Sequence, residues 1–183
     1  MILQNKILSI LEEIENKAED VISQNLTLDL GSPIYGAAFW LFYFDYTIIS
    51  PPQLSVNTIR SLSASSSQCG SLKWSPAEWP QTPQCDLFET ELSPIYSKLT
   101  ASLNDEPASV WDKAFNKQLQ IYSSLSKKIT QQAGNGEFKN WSVTKDFITA
   151  CIEEREDEPF YTNLLKSSVE DHDFLRQEGL IPS

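Results

Sequence analysis

The segment Ile34-Tyr-Gly-Ala-Ala-Phe-Trp-Leu-Phe-Tyr-Phe44 is continuously apolar and rich in aromatic residues. A strand with one face in water alternates apolar and polar side chains, whereas a strand that is covered on both faces is apolar throughout. The segment is also far shorter than the roughly 18 apolar residues that a membrane span needs. It therefore predicts a strand that lies in the centre of a sheet and is buried on both faces.

The residues that follow predict a partner strand for this segment. A tight turn at 45–46 leads into a strand around 47–49 that runs on towards Val56. The proline pair at 51–52 lacks the N–H groups of a ladder, so this strand is expected at an edge of the sheet. A short β-type run at 147–152 predicts the last strand.

Helical periodicity accounts for most of the remaining chain. Apolar residues recur every three or four positions in 2–26, 87–103 and 109–132, and a C-terminal helix is expected at about 159–178. The apolar stripe of the first helix predicts packing on the protein's own sheet, and a partner-binding seam is the alternative. The element order α-β-β-α-α-β-α predicts a single α+β domain over 1–183, with a mainly antiparallel sheet packed by helices.

The charge of the chain is strongly negative. Its 183 residues carry 14 basic and 25 acidic side chains, a formal net charge of −11. Nucleic acids and anionic membranes are disfavoured as partners, because phosphates attract Lys and Arg. A basic protein partner is compatible with the charge, as is a role in solubility alone. The acids concentrate in 1–59 and 151–183, so one surface would be acidic if the two ends met in space.

Few residues in the sequence suit catalysis or metal binding. The three cysteines, Cys69, Cys85 and Cys151, are widely spaced and form neither a disulfide framework nor a paired metal motif. The only histidine, His172, lies in an acidic stretch that predicts a solvated surface position. No phosphate-binding glycine motif is present. We therefore expect no metal, no cofactor and no enzymatic activity. The absence of a signal-peptide pattern and the cysteine usage predict a cytoplasmic protein.

Two groups of carboxylates are candidate contacts for a protein partner. One is an acidic strip after the last strand and the other lies near the C-terminus. They comprise Glu153, Glu154, Glu156, Asp157 and Glu158 in the strip, and Glu170, Asp171 and Asp173 near the end. Paired carboxylates also occur in glycosidases and at divalent metals, so a carboxylate-dependent hydrolase is a weaker alternative.

The most distinctive motif is Lys-Trp-Ser-Pro-Ala-Glu-Trp-Pro at 73–80, within a long Ser- and Pro-rich segment. Two prolines brace Trp74 and Trp79. One interpretation is that these indoles fold back over the sheet as apolar plugs. The other is that an indole is exposed as an anchor for a partner, because Trp is enriched at interface hot spots.

This motif, together with the Tyr-Gly-Ala-Ala-Phe run at 35–39, resembles a family of small bacterial proteins known only as a domain of unknown function. The likeness is best over 34–80 and looser over 145–181, where Leu-Leu-Lys-Ser-Ser-Val at 164–169 resembles the family's final helix. Such families often occur beside genes of secreted polymorphic toxins, which implies an immunity role. The resemblance implies no catalytic residues.

The sequence thus predicts an immunity-type protein that binds and neutralises a cognate toxin or secreted effector. An acidic surface would speed its encounter with a basic partner. An adaptor or chaperone for a secreted effector is the alternative, using the same surface.

Overall fold

The computed structural model describes residues 3–25, 30–42, 45–65, 79, 83–138, 141–153 and 158–182 of the chain. Within these ranges, the chain forms three strands and six α-helices, with a π-helical segment at Val21–Asn25 after the first helix. The strands are β1 (Ile34–Leu41), β2 (Gln53–Thr58) and β3 (Val143–Glu153). The helices are α1 (Asn5–Asp20), α2 (Ile59–Ser65), α3 (Pro83–Leu103), α4 (Ala108–Gly134), α5 (Glu158–Ser168) and α6 (His172–Gln177).

The predicted α+β class is confirmed, and the elements follow the predicted order with two additions. The short helix α2 follows β2 directly. The single helix expected at about 159–178 is divided into α5 and α6, because Asp171 starts a new helix by accepting a hydrogen bond from the N–H of Phe174 at 2.8 Å. None of the helices within the described ranges has the length and apolar character that a bilayer crossing needs.

The sheet has the strand order β2-β1-β3, so β1 is central as predicted. Seven of its eight residues are buried, and Trp40 is partly exposed. β1 pairs with β2 in the antiparallel sense and with β3 in the parallel sense. The sheet is therefore mixed, and the prediction of a mainly antiparallel sheet is only partly correct. A continuous apolar run that is buried on both faces is typical of parallel pairing, so the pattern of β1 is consistent with its parallel neighbour β3.

The second strand begins later than predicted. Residues 47–49 are not a strand, and β2 starts at Gln53, just after the proline pair. Pairing with β1 then runs from Trp40 opposite Gln53 to Ile34 opposite Thr58. The chain between β1 and β2, residues 42–52, is called the β1–β2 connection below; of it, residues 42 and 45–52 are described.

One face of the sheet carries the larger part of the core. Phe39 lies at its centre, with ring centroids 5.5 Å from Phe88 of α3 and 5.0 Å from Tyr122 of α4. α3 packs on β2 and α4 on β3, while α1 packs mainly on α3 and α4. The apolar stripe of α1 thus forms a second layer over helices, which differs from the predicted packing on the sheet.

The other face is covered by the C-terminal helices. Successive residues of a strand point to opposite faces, so Ala38 and Ala150 lie on the side away from Phe39. They pack with Leu165 of α5 and Leu175 of α6. α5 also contacts α4, so it covers the edge of the sheet beside β3.

Candidate protein-binding surface

The β1–β2 connection carries three of the four large hydrophobic side chains that are exposed in the described part of the chain. These are Phe42, exposed by 39%, Tyr46 by 41% and Ile48 by 61%, and the fourth, Ile59 at 41%, lies in α2. The first three lie within seven residues of the connection. Scattered single apolar residues are ordinary on a protein surface, whereas a local concentration marks an interaction site.

A buried residue ties the connection to α3. Ile49 is buried, and the hydroxyl of Thr100 meets both of its backbone groups. Thr100 Oγ1 accepts a hydrogen bond from the N–H of Ile49 and donates one to the carbonyl of Ile49, and both bonds are 3.2 Å long. Gln118 of α4 donates through Nε2 to the carbonyl of Ser50 at 3.2 Å. The exposed Ile48 is therefore held next to residues that are fixed on two helices.

A second set of bonds orders the turn that precedes Ile48. The N–H of Thr47 donates to Asp45 Oδ1 at 3.2 Å, and the Thr47 hydroxyl donates to the same oxygen. The bond from the Thr47 hydroxyl is the main reason that the pKa of the Asp45 carboxyl is lowered below its usual value, and the backbone N–H adds to the effect. Tyr46 has a φ of 64° and donates its hydroxyl to Asp112 of α4 at 3.2 Å. Carboxylates thus lie directly beside the exposed apolar side chains.

An open groove of about 430 Å³ lies between the connection and α3. Residues 48–51 form one wall, and the other is formed by α3 from Glu89 onward together with Asn104, which directly follows the helix. Ile48 is therefore both the most exposed apolar side chain of the connection and part of the groove. We call this groove the α3 furrow.

The structure decides between the two predicted roles of Trp79. Its side chain is 4% exposed and packs in the core on the face of the sheet that α5 and α6 cover. Its ring meets that of Tyr35 edge-on, with centroids 6.2 Å apart. Trp79 is a buried plug, so its prediction as an exposed partner anchor is wrong in this structure. Trp74 lies outside the described residues.

The predicted acidic strip begins with a residue that is not on the surface. Glu153 is 3% exposed because it is still part of β3, where it pairs with the buried Leu41 of β1. The prediction that Glu153 is an exposed contact for a partner is therefore wrong. Glu154, Glu156 and Asp157 lie outside the described residues. Glu158 begins α5, and its side chain is likewise outside the description.

The three C-terminal acids are exposed as predicted, and each has a partner within the chain. Glu170 accepts from Gln131 Nε2 at 3.1 Å. Asp171 caps α6, and Asp173 pairs with Arg176 at 2.6 Å. These bonds give the carboxylates local roles in holding α6. Their role in partner binding stays a prediction.

The reactive side chains in the described residues are placed for packing. Cys85 is buried in α3, and Cys151 is buried in β3, where burial raises the pKa of its thiol to about 12. His172 is half-buried, with Nε2 3.1 Å from the carbonyl of Lys166. Among the residues that the structure describes, no three His, Cys, Asp or Glu side chains are grouped to hold a metal ion. Cys69 lies outside them.

A second cleft, of about 550 Å³, lies between α4 and α5. Its lining is neutral: amide side chains such as Asn116 and Asn163, serine hydroxyls and two leucines. At its base Ser167 donates to Ser123 at 3.1 Å. The described lining offers no charged or titratable group for chemistry.

The β1–β2 connection was missed as a site because its residues resemble a strand. Its signal was the position of Ile48 and Ile49 just ahead of Ser50 and the proline pair, which cannot donate to a ladder with β1. Comparisons with known proteins add no functional information, since no protein-family model, curated protein or solved structure matches the chain.

Proposed function

We propose that the chain is an immunity-type protein that binds a cognate toxin or secreted effector and blocks it by stoichiometric contact. The observation that carries the proposal is the ordered, exposed apolar surface of the β1–β2 connection. Phe42, Tyr46 and Ile48 are exposed on it, and Thr100 and Gln118 fix the backbone beside Ile48.

Order in the free protein favours a binding role for such a surface. Association loses free energy when flexible loops and side chains become fixed. A connection that is already bonded to α3 and α4 incurs little of this loss. Tyr46 adds a large ring with only two rotatable bonds, whose hydroxyl is already bonded to Asp112.

The charge around the connection favours a basic partner. Asp45 and Asp112 lie beside the exposed apolar side chains, and Glu89 lies in the α3 furrow. The whole chain carries a net charge of −11. Opposite charge on the partner would raise the rate of encounter and disfavour acidic competitors. Contacts from Glu170, Asp171 and Asp173 would extend the same complementarity.

The likeness of the Trp-Ser-Pro-x-x-Trp element to proteins encoded beside secreted toxins supports a toxin as the partner. We place the neutralisation in the cytoplasm, a reducing compartment in which the buried thiols of Cys85 and Cys151 would stay reduced. Blocking by contact needs no catalytic residue, cofactor or metal in this chain.

The test is expression of the toxin-like neighbouring reading frame in cells with and without this protein. We expect growth to be restored and the two proteins to co-purify. Ile48→Glu should lose both effects, whereas Ile59→Glu should keep them, because Ile59 is a large exposed apolar residue outside the connection.

Failure of the unaltered protein to restore growth or to co-purify contradicts the proposal. Co-purification without protection, together with a requirement for this protein in export of the neighbour, would instead identify an adaptor. Equal loss of activity in both variants would remove the β1–β2 connection as the binding surface.

A further inference from the structure

The α3 furrow has the length of an extended peptide segment. Its longer wall follows α3 from Glu89 and ends at Asn104, the residue directly after the helix, 15 positions along the chain. At a rise of 1.5 Å per residue, this corresponds to about 22 Å. An extended chain advances roughly 3.3 Å per residue, so about six or seven residues would span the furrow.

Most hydroxyl donors of the furrow are already used within the protein. Ser93 donates to the carbonyl of Glu89 at 2.8 Å, and Ser97 donates to that of Ser93 at 3.0 Å. Thr100 donates to Ile49. Besides hydroxyls whose protons are engaged, the furrow therefore offers the apolar surface of Ile48.

The ends of the furrow are different. The Glu89 side chain is exposed and makes no hydrogen bond or ion pair with another described residue, and the same holds for the amide of Asn104. By contrast, Glu91, two positions after Glu89 on α3, is paired with Lys17 at 2.6 Å. The furrow thus has a carboxylate without a described partner at one end, the apolar side chain of Ile48 on one wall and an amide at the other end.

We infer that the α3 furrow binds an extended segment of the partner, about six residues long, with a basic side chain at the Glu89 end and apolar side chains against Ile48. This inference rests on the proposed function for the existence of a protein partner. A second copy of this chain is disfavoured as the occupant, because its net charge of −11 would bring like charge to Glu89.

The test uses synthetic peptides and so does not depend on the toxin. The probe is the acetylated and amidated hexapeptide Arg-Val-Ser-Val-Ser-Asn, titrated into the ¹⁵N-labelled full chain and followed by amide chemical shifts. The control peptide has Glu in place of Arg. We expect shifts confined to 48–50 and to the furrow side of α3, with clearly weaker binding of the control peptide.

Two matched variants test the charge. Glu89→Gln should weaken the Arg peptide about 2- to 5-fold, the range of an exposed ion pair. Glu12→Gln removes an exposed acid of α1 and should leave the affinity unchanged. The inference is overturned if no shifts occur at millimolar peptide, if they lie on another surface, or if the Glu peptide binds equally well.

Dilution of the protein alone is the remaining measurement. Concentration-dependent shifts at the furrow amides would assign the furrow to a second copy and overturn the inference. Restored growth together with absent peptide binding would reject the furrow while leaving the immunity role intact. Peptide binding without growth restoration would keep the furrow as a peptide site and reject the immunity role.

Discussion

Thr100→Val should release the β1–β2 connection from α3 while leaving the helix nearly unchanged. Valine has the shape of threonine but no hydroxyl, and the two residues have similar helix propensities. The substitution removes both bonds between Thr100 and the backbone of the buried Ile49. A typical hydrogen bond contributes about 0.5–1.5 kcal/mol net. Both bonds are long at 3.2 Å, so we expect a total loss of about 1–2 kcal/mol.

Urea unfolding measures this loss, and amide hydrogen exchange locates it. With a denaturant slope of about 2 kcal/mol/M, the midpoint should fall by roughly 0.5–1 M. The amide of Ile49 should exchange faster, because its acceptor is gone. Ser102→Ala is the control, since Ser102 donates to Lys98 on the same helix and its change should stay within about 0.5 kcal/mol. Unchanged protection of Ile49 in Thr100→Val would refute the reasoning.

Two further predictions concern other parts of the fold. Asp171→Ala removes the cap that accepts a hydrogen bond from Phe174, and urea unfolding should show a loss of about 1 kcal/mol in the free energy of unfolding. Asp173→Ala removes an exposed ion pair and should lower the same free energy by no more than about 0.5 kcal/mol. Equal effects of the two variants would contradict the capping role of Asp171. The raised pKa of Cys151, about 12 against 9.0, means that only the unfolded chain releases this proton between those pH values. The free energy of unfolding should therefore fall with rising pH, by about 1 kcal/mol per unit from this thiol, and Cys151→Ala should reduce that slope; parallel curves would contradict the assignment.

The elements that the sequence predicts best are those whose side chains have one clear period. Trp111, Phe115, Leu119 and Tyr122 are spaced three or four apart, and all four are buried in α4. The run at 34–41 is buried on both faces of the sheet. In these cases the local pattern and the tertiary packing require the same residues to be apolar.

The candidate surface could not be predicted in this way, because its order comes from distant residues. Ile48 and Ile49 are adjacent and identical, yet Ile48 is exposed and Ile49 buried. The difference arises from Thr100 and Gln118, which meet the connection from α3 and α4. The parallel pairing of β1 and β3 escaped prediction for a related reason, since their register depends on the intervening helices and not on the strands alone.

The distribution of charge shows the same dependence on tertiary structure. Among the described residues, the acids of α1 and those of α6 lie on different layers, because α1 packs over α3 and α4 while α6 packs on the opposite face of the sheet, although Glu19 and Glu170 both contact the last turns of α4. Several are also paired within the protein, as Glu13 is with Lys98 at 2.9 Å. Glu89, in contrast, comes from the neutral middle of the chain and makes no ion pair with a described residue. A basic group of a partner can pair with Glu89 without breaking an ion pair that the carboxylate already makes. The furrow would therefore attract a basic partner more strongly than the net charge of its chain segment suggests.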